Sequence, residues 1–527
     1  MKNTIARGLW LITIFFFFTP QRATPQSGYL PYSYHFYRDL SSHLYNKDTK
    51  VHSALKPWYI KEDSTLSESI DSLQSYGVDS SRRGWITRKL LNEHLIQVNK
   101  ADYSFYADFL PDMIIGRDLS GKKKTWQNTR GYQLGGAVGK KFSFYTSGYE
   151  NQGVFPGYYQ TFTEKYLVVP GQTNEFFGSR QKTKDWQYVT ANISYTPASF
   201  INITFAYDKL FIGDGYRSLL LSDVSSPYPF LKITGNYKNV QYTGIWASLQ
   251  DPAARAYSYE TGNRRKGAVF HYLDWNVTKR LSLGFFDALI WEVQNQAGSN
   301  AKLKAEYVNP IALLNPLISN GSENTVIGLT GKYEVLNKTI LYGQWVSDGL
   351  KKESRDLYGW QLGLSGFDLG GVDDFDYLVE YNTVKPYTFA QPNRILSYTH
   401  YNQPLGHILG ANFKEVLSIL SYRLKRFGFT AELLHSRYGL DQNGANYGKD
   451  IFNPKAAEVE GHKTGQGLKT DLYYLDGRVS YLLNPKYNLR IEAGAVYRNE
   501  KNERTNEKTS WLTIGLRSAF RNLYQDF

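Results

Sequence analysis

Apolar and polar positions exchange residue by residue through much of the chain. In YNLRIEAGAVYR (487–498), Leu489, Ile491, Ala493, Ala495 and Tyr497 form one set, with Asn488, Arg490, Glu492 and Arg498 interleaved. A period of two puts alternate side chains on opposite faces of a strand. The pattern recurs in GYQLGGAVG (131–139), INITFAYD (201–208), NKTILYGQW (337–345) and SWLTIGLRSAF (510–520). In the last of these, Leu512, Ile514, Leu516 and Phe520 are expected on one face, and Thr513, Arg517 and Arg521 on the other.

Strand signals run from about residue 102 to the C-terminus, in segments near the length of a tilted strand crossing an outer membrane. Short turns are predicted near 139–141, 196–200, 236–239, 276–280, 334–338, 366–374, 424–427 and 483–487. Between them lie mostly long connections at 150–185, 209–229, 250–266, 292–323, 347–358, 382–413, 436–471 and 499–509. Two strands per short turn, an opening strand at 102–109 and a closing strand at 510–520 make about eighteen antiparallel strands, an even count that returns both ends to the same side. Hydrocarbon offers no water to satisfy an open sheet edge, so such a sheet must close. The expected fold is therefore all-β, a transmembrane outer-membrane barrel over 101–527. A soluble sandwich would bury one face of every strand in a shared core and would not require loops that alternate in length.

Residues 27–100 lack this period. YHFYRDLSSHLYNKD, STLSESIDSLQSYG and SSRRGWITRKLLNEHLIQV suggest short helices, a small periplasmic segment that packs under the barrel, plugs it, or contacts other envelope proteins. Lys2 and Arg7 precede the apolar run LWLITIFFFF, the form of a signal peptide over 1–26, with cleavage expected between Ala23 and Ser27. The run is too short to span a bilayer, so a mature chain that enters a membrane does so as strands.

Composition narrows the chemistry. The 527 residues include no cysteine, which removes disulfides, thiolate metal sites, cysteine nucleophiles and a lipoprotein anchor. Forty-three tyrosines in a chain of mean hydropathy -0.46 suit an alternating surface with aromatic edges. The net charge of +13 favours acidic partners without naming one, and the export signal argues against nucleic acid. Ser397 lies near His400, but no GxSxG elbow, GxxxxGK loop or zinc-ligand pair is present. No enzymatic activity, cofactor or metal is expected.

Several long stretches carry a resemblance. WITRKLLNEHLIQVNKADYSFYADFLPDMIIGRD (85–118), NTRGYQLGGAVGKKFSFYTSGYENQGVFPGYY (128–159), DGYRSLLLSDVSSPYPFLKI (214–233), HYLDWNVTKRLSLGFFDALIWE (271–292), AEYVNPIALLNPLI (305–318) and THYNQPLGHILGANFKE (399–415) resemble the Wzi-type capsule-assembly family. More narrowly, they resemble its gliding-motility relatives of the RemB type. The likeness spans roughly residues 30 to 520 and implies an outer-membrane barrel of about eighteen strands with a helical periplasmic part. It further implies a surface component that attaches capsular polysaccharide, or that engages exopolysaccharide or the substratum in gliding. The implied partners are that polysaccharide, lipopolysaccharide and the outer membrane, and gliding-machinery or envelope proteins. A passive porin is the alternative.

On this reading the outer loops bind glycan. The candidates are Arg180, Lys182, Lys184, Tyr257, Tyr259, Arg264, Arg265 and Lys266, with Lys165, Tyr166, Phe176, Phe177 and Arg255 nearby. Tyrosine can stack on a sugar face with its hydroxyl wet, and arginine can pair with uronate or phosphate. The same residues could instead meet lipopolysaccharide phosphates and form interfacial girdles. In DGYRSLLLSD, Asp214, Arg217 and Asp223 lie on a connection long enough to fold into the lumen, where an ion-pair network is the expected role. In THYNQPLGHILGANF, His400 and His407 are expected to form a hydrogen-bonded loop lock, with sugar binding as the alternative, while Asn402 has no assigned role; the spacing does not suit a metal. Ile408 stands where the family pattern has a proline, so that position loses a fixed backbone angle.

Overall fold

The computed structural model describes residues 28–44, 51–60, 65–174, 176–178, 183–255, 263–294, 299–302, 304–312, 322–349, 356–453, 461–518 and 520–527. The signal peptide expected over 1–26 lies outside them. Eighteen antiparallel strands form one closed barrel. It opens with Tyr103–Asp118 and closes with Asn506–Ser518, which pair from Trp511–Asp118 to Arg517–Asp112.

The period of two translates into faces. On strand Leu489–Lys501, Ile491, Ala493, Ala495 and Tyr497 point out, while Glu492, Val496 and Arg498 are buried inside. Leu489, expected to face out with Ile491, is instead buried in a cluster with Tyr487 and Phe520 at the strand's start. Leu512 and Ile514 face out and Arg517 faces in. Phe520 departs from that pattern. The strand stops at Ser518, and Phe520 turns inward onto Phe36, ring centroids 5.3 Å apart. All eight predicted short turns link neighbouring strands, from Val138–Phe142 to Asn484–Leu489. The opening strand is longer than expected, reaching Asp118 and turning back through 119–122. Its alternation is hidden in sequence because Ile114, which points inward, is apolar like its outward neighbours Met113 and Ile115.

Exposed aromatics gather beside the short turns: Phe142, Phe200, Tyr237, Trp275, Tyr333 and Phe427. Above them Met113, Ile193, Phe205, Leu329, Leu362 and Val479 form an exposed apolar band. A greasy belt with an aromatic girdle is the surface an outer-membrane barrel presents to lipid. Among the described residues no helix is long and apolar enough to cross a membrane.

An empty barrel of this size would enclose water, but three segments fill it. The first is N-terminal: helix α1 (Tyr34–Leu44) packs against α2 (Thr65–Ser75) at the short-turn end. Arg38 of α1 donates to the carbonyls of Gly366 (2.6 Å) and Tyr377 (2.7 Å). The second is the connection 209–227, folded inward and buried almost throughout, with Phe211–Ile212 pairing to Leu55–Lys56. The third is the C-terminal tail, 520–527. With the inward strand faces, the 209–227 connection, Tyr524 and Phe527 join one large apolar core, beside a smaller one that α1 and α2 form with Phe211. Charges inside a dry lumen must be paired, because removing an ion from water costs several kcal/mol in practice.

Candidate functional site

At the long-loop end, above the packed lumen, lies a cavity of about 430 Å³. One wall is helix α4 (Gly157–Tyr166), which begins after Pro156 and ends at Leu167 in the left-handed region. Segments 402–410 and 438–452 and the hairpin at 498–507 complete the sides, and Phe527 lies among the lining residues. The Phe527 ring stands 4.1 Å from that of Phe162 and 5.3 Å from that of Tyr159. Its carbonyl accepts from Arg498 Nε at 2.9 Å. Tyr166 faces Phe452 at 5.9 Å.

The lining charges nearly cancel: Lys165, Lys449 and Arg498 against Asp441, Asp450, Glu500 and Glu507. Arg498 is already held by Glu500. Lys449 donates to the Leu409 carbonyl at 3.2 Å and sits 4.6 Å from the Tyr438 ring centroid. Burial pushes its ammonium down to about 8. Aromatic faces with mostly paired charges make a surface suited to stacking on sugar rings.

Beneath this cup, Arg217 binds Glu415 through Nε (3.2 Å) and Asp526 through its other end, while its backbone N–H donates to Glu380 at 3.2 Å. His407 Nε2 lies 3.0 Å from the same Glu415 oxygen. The expected ion-pair network is present, but Asp214 and Asp223 do not flank Arg217. Asp214 pairs with Lys332 at 3.3 Å and accepts from Ser53 at 2.8 Å. Asp223 accepts from Asn522 (2.8 Å) and Tyr524 (2.6 Å) of the tail, with Lys209 at 3.9 Å.

His400 locks loops together. Its Nδ1 accepts from the Gln250 backbone N–H at 3.1 Å, and Nε2 lies 3.3 Å from the Pro227 carbonyl. Asn402 accepts from Arg394 (2.7 Å) and donates to the Tyr166 carbonyl (3.1 Å), fixing the end of α4 beside the cup. Burial holds the His400 imidazole down at about 3, so it is neutral in the fold while the unfolded chain takes up a proton below about pH 6.5. The stability it contributes is complete above that pH and lost as pH falls toward 3, at about 1.4 kcal/mol per pH unit. His400→Gln, which can still donate and accept, should flatten the acid limb of thermal stability in detergent. An unchanged limb would refute this assignment.

The basic run Arg264–Lys266 is not one exposed patch. It lies on strand Asn263–Asn276, whose alternation turns Arg264 and Lys266 inward and Arg265 outward. Arg264 pairs with Glu292 and donates to the Gln294 carbonyl at 3.3 Å. Lys266 donates to the Ser397 carbonyl (2.9 Å) and to Thr399 Oγ1 (3.0 Å). Lys184 is likewise buried, 3.3 Å from Glu164 and over the Phe176 ring. The expectation of an exposed role for Lys184, Arg264 and Lys266 is thus corrected: strand alternation points them at internal partners. Arg180, Lys182, Tyr257 and Tyr259 lie outside the described residues. Sequence reasoning missed Phe162, Tyr438, Lys449, Phe452 and Phe527 as cup residues. No sequence signal marked them, because the alternation of SWLTIGLRSAF runs on to Arg521, past Ser518 where the strand ends.

Among solved structures, the chain is similar to Wzi of Escherichia coli, described as an outer-membrane protein involved in group 1 capsule assembly and a carbohydrate-binding β-barrel. The identity is 13% and the TM-score 0.58, over 93% of this chain and 100% of that one. Pseudomonas aeruginosa OprD aligns at 9% identity and TM-score 0.42, over 78% of this chain and 94% of that one. No known family and no curated protein matches the sequence. The likeness to Wzi shows a shared fold, an outer-membrane-type barrel.

Proposed function

We propose that this chain is a non-enzymatic outer-membrane barrel that holds a surface polysaccharide at its outward mouth, for capsule or exopolysaccharide attachment or for adhesion during gliding. The observation that carries this reading is the aromatic cup above a filled lumen. The reading is supported by the orientation of barrels of this kind, whose long-loop end faces the cell exterior, the end at which Tyr166, Phe452 and Phe527 line the cup. The near-cancelling charge of the cup favours stacking on sugar faces within it. Ion pairing to acidic groups falls to the rim, where Arg265 is exposed. Description of the Wzi barrel as carbohydrate-binding supports the same reading. A passive channel is disfavoured by the tail and the 209–227 segment that occupy the lumen.

Tyr166→Ala combined with Phe452→Ala should weaken binding to the host's own surface polysaccharide about tenfold or more, since each lost stacking contact is worth about 1 kcal/mol. Binding assays on purified barrels check this. Unchanged affinity, together with large steady conductance in planar bilayers, would favour a pore. A deletion strain scored for capsule retention and for spreading separates attachment from gliding; normal behaviour in both would sink the proposal.

A further inference from the structure

Helix α3 (Trp85–Leu91) sits under the barrel wall at the short-turn end. Its C-terminal carbonyls are clamped by the turn between strands Leu468–Asn484 and Leu489–Lys501. Asn484 donates to the carbonyls of Lys89 (3.2 Å) and Glu93 (3.0 Å), and the Tyr487 hydroxyl to that of Leu90 (3.2 Å). So anchored, α3 leaves its apolar side uncovered: Trp85 is 63%, Ile86 65% and Leu90 50% exposed. Helix side chains of this size are rarely left bare on a fixed scaffold facing water.

The local wall explains what covers them. The closing strand stops pairing with the opening strand at Arg517–Asp112, although the opening strand begins at Tyr103. A four-residue strand, Ile96–Asn99, takes over part of the missing stretch, pairing with Ser104–Ala107. Ile96 stands opposite Ala107, on the outward face that continues to Phe109 and Met113 in the lipid belt. Leu95 and Ile96 are exposed. The short-turn aromatics Phe427 and Tyr481 lie on strands flanking the clamp. The uncovered side of α3 is therefore continuous with the belt, and not with the lumen or the plug.

Charge agrees with an interfacial position. Arg83 immediately before α3 is exposed, as is Lys425 on the adjacent short turn, while Arg426 of that turn holds the Gly77 carbonyl. Basic residues beside an apolar helix face suit lipid phosphates at the boundary where amphipathic helices lie.

We propose that α3 is an interfacial anchor that dips Trp85, Ile86 and Leu90 into the periplasmic leaflet of the outer membrane, sealing the barrel wall where the closing strand leaves the first residues of the opening strand unpaired. The inference requires the barrel to lie in a bilayer and is independent of what the cup binds. The test uses the absence of cysteine in the chain. Single variants Ile86→Cys and Leu90→Cys carry a fluorescent label in the full-length barrel in lipid nanodiscs, with Leu512→Cys in the belt and Ser81→Cys in water as references. Both substituted side chains are exposed, so little packing is lost, and heat-modifiable migration confirms folding. Brominated acyl chains should quench labels at 86 and 90 as they quench the label at 512, while aqueous iodide quenches only the label at 81. Behaviour at both positions like that of the label at 81 would overturn the proposal. Shielding seen only in native outer-membrane vesicles, and not in nanodiscs, would also overturn it, because it would identify a periplasmic protein as the cover.

Discussion

Arg217→Ala should destabilise the barrel by about 3–5 kcal/mol, the usual cost of removing one partner from a buried ion pair. The guanidinium is almost fully buried and holds Glu415 from one strand and Asp526 from the tail. Its loss leaves these two carboxylates, with Glu380 close by, sharing a dry lumen. Thermal unfolding in detergent, read by loss of heat-modifiable migration, measures the effect. Arg217→Met with Asp526→Asn should recover part of the loss, because an uncharged pair leaves less uncompensated charge. Equal damage in the single and double variants would show that the packing of residue 217, and not its charge, supports the lumen.

The second large effect concerns the tail. The intact protein should show little conductance in planar bilayers, and removal of residues 520–527 should convert it to a steady channel, because a barrel of this girth holds water once its filling is withdrawn. The tail is fixed at four levels. Arg521 donates to Gln172 (2.9 Å) and Asn151 (3.0 Å), Asn522 and Tyr524 donate to Asp223, Asp526 meets Arg217, and the Phe527 carbonyl accepts from Arg498. The deletion should also abolish glycan binding, since Phe527 lines the cup. Truncation could impair assembly, so Asp526→Arg offers a second route: like charges repel at Arg217 and expel a tail of unchanged length. A closed barrel in both variants would assign the seal to the N-terminal segment and the 209–227 connection alone.

These two results would separate an anchored binding barrel from a channel, because they test the filling and the cup together. They also expose the limit of charge as a sequence clue. A run of three basic residues, Arg264–Lys266, reads as a patch in one dimension, yet a strand divides it between two faces. Two of the three are held by Glu292, Ser397 and Thr399, which lie far along the chain and could not be named in advance.

The sequence by itself determined the wall. Side-chain period in a strand is a local property, and the contrast between short turns and long loops is local too. Leu489–Lys501, the eight short turns and the strand count were therefore legible without coordinates. Only the tertiary structure decided the interior. Whether Asp214 meets Arg217 or Lys332, whether Asp526 reaches Arg217 or solvent, and which rings surround Phe527 depend on segments tens to hundreds of residues apart. A dry lumen admits a charge only where a partner from such a segment closes on it. Alternation tells which residues face inward; it carries no information about what they meet there.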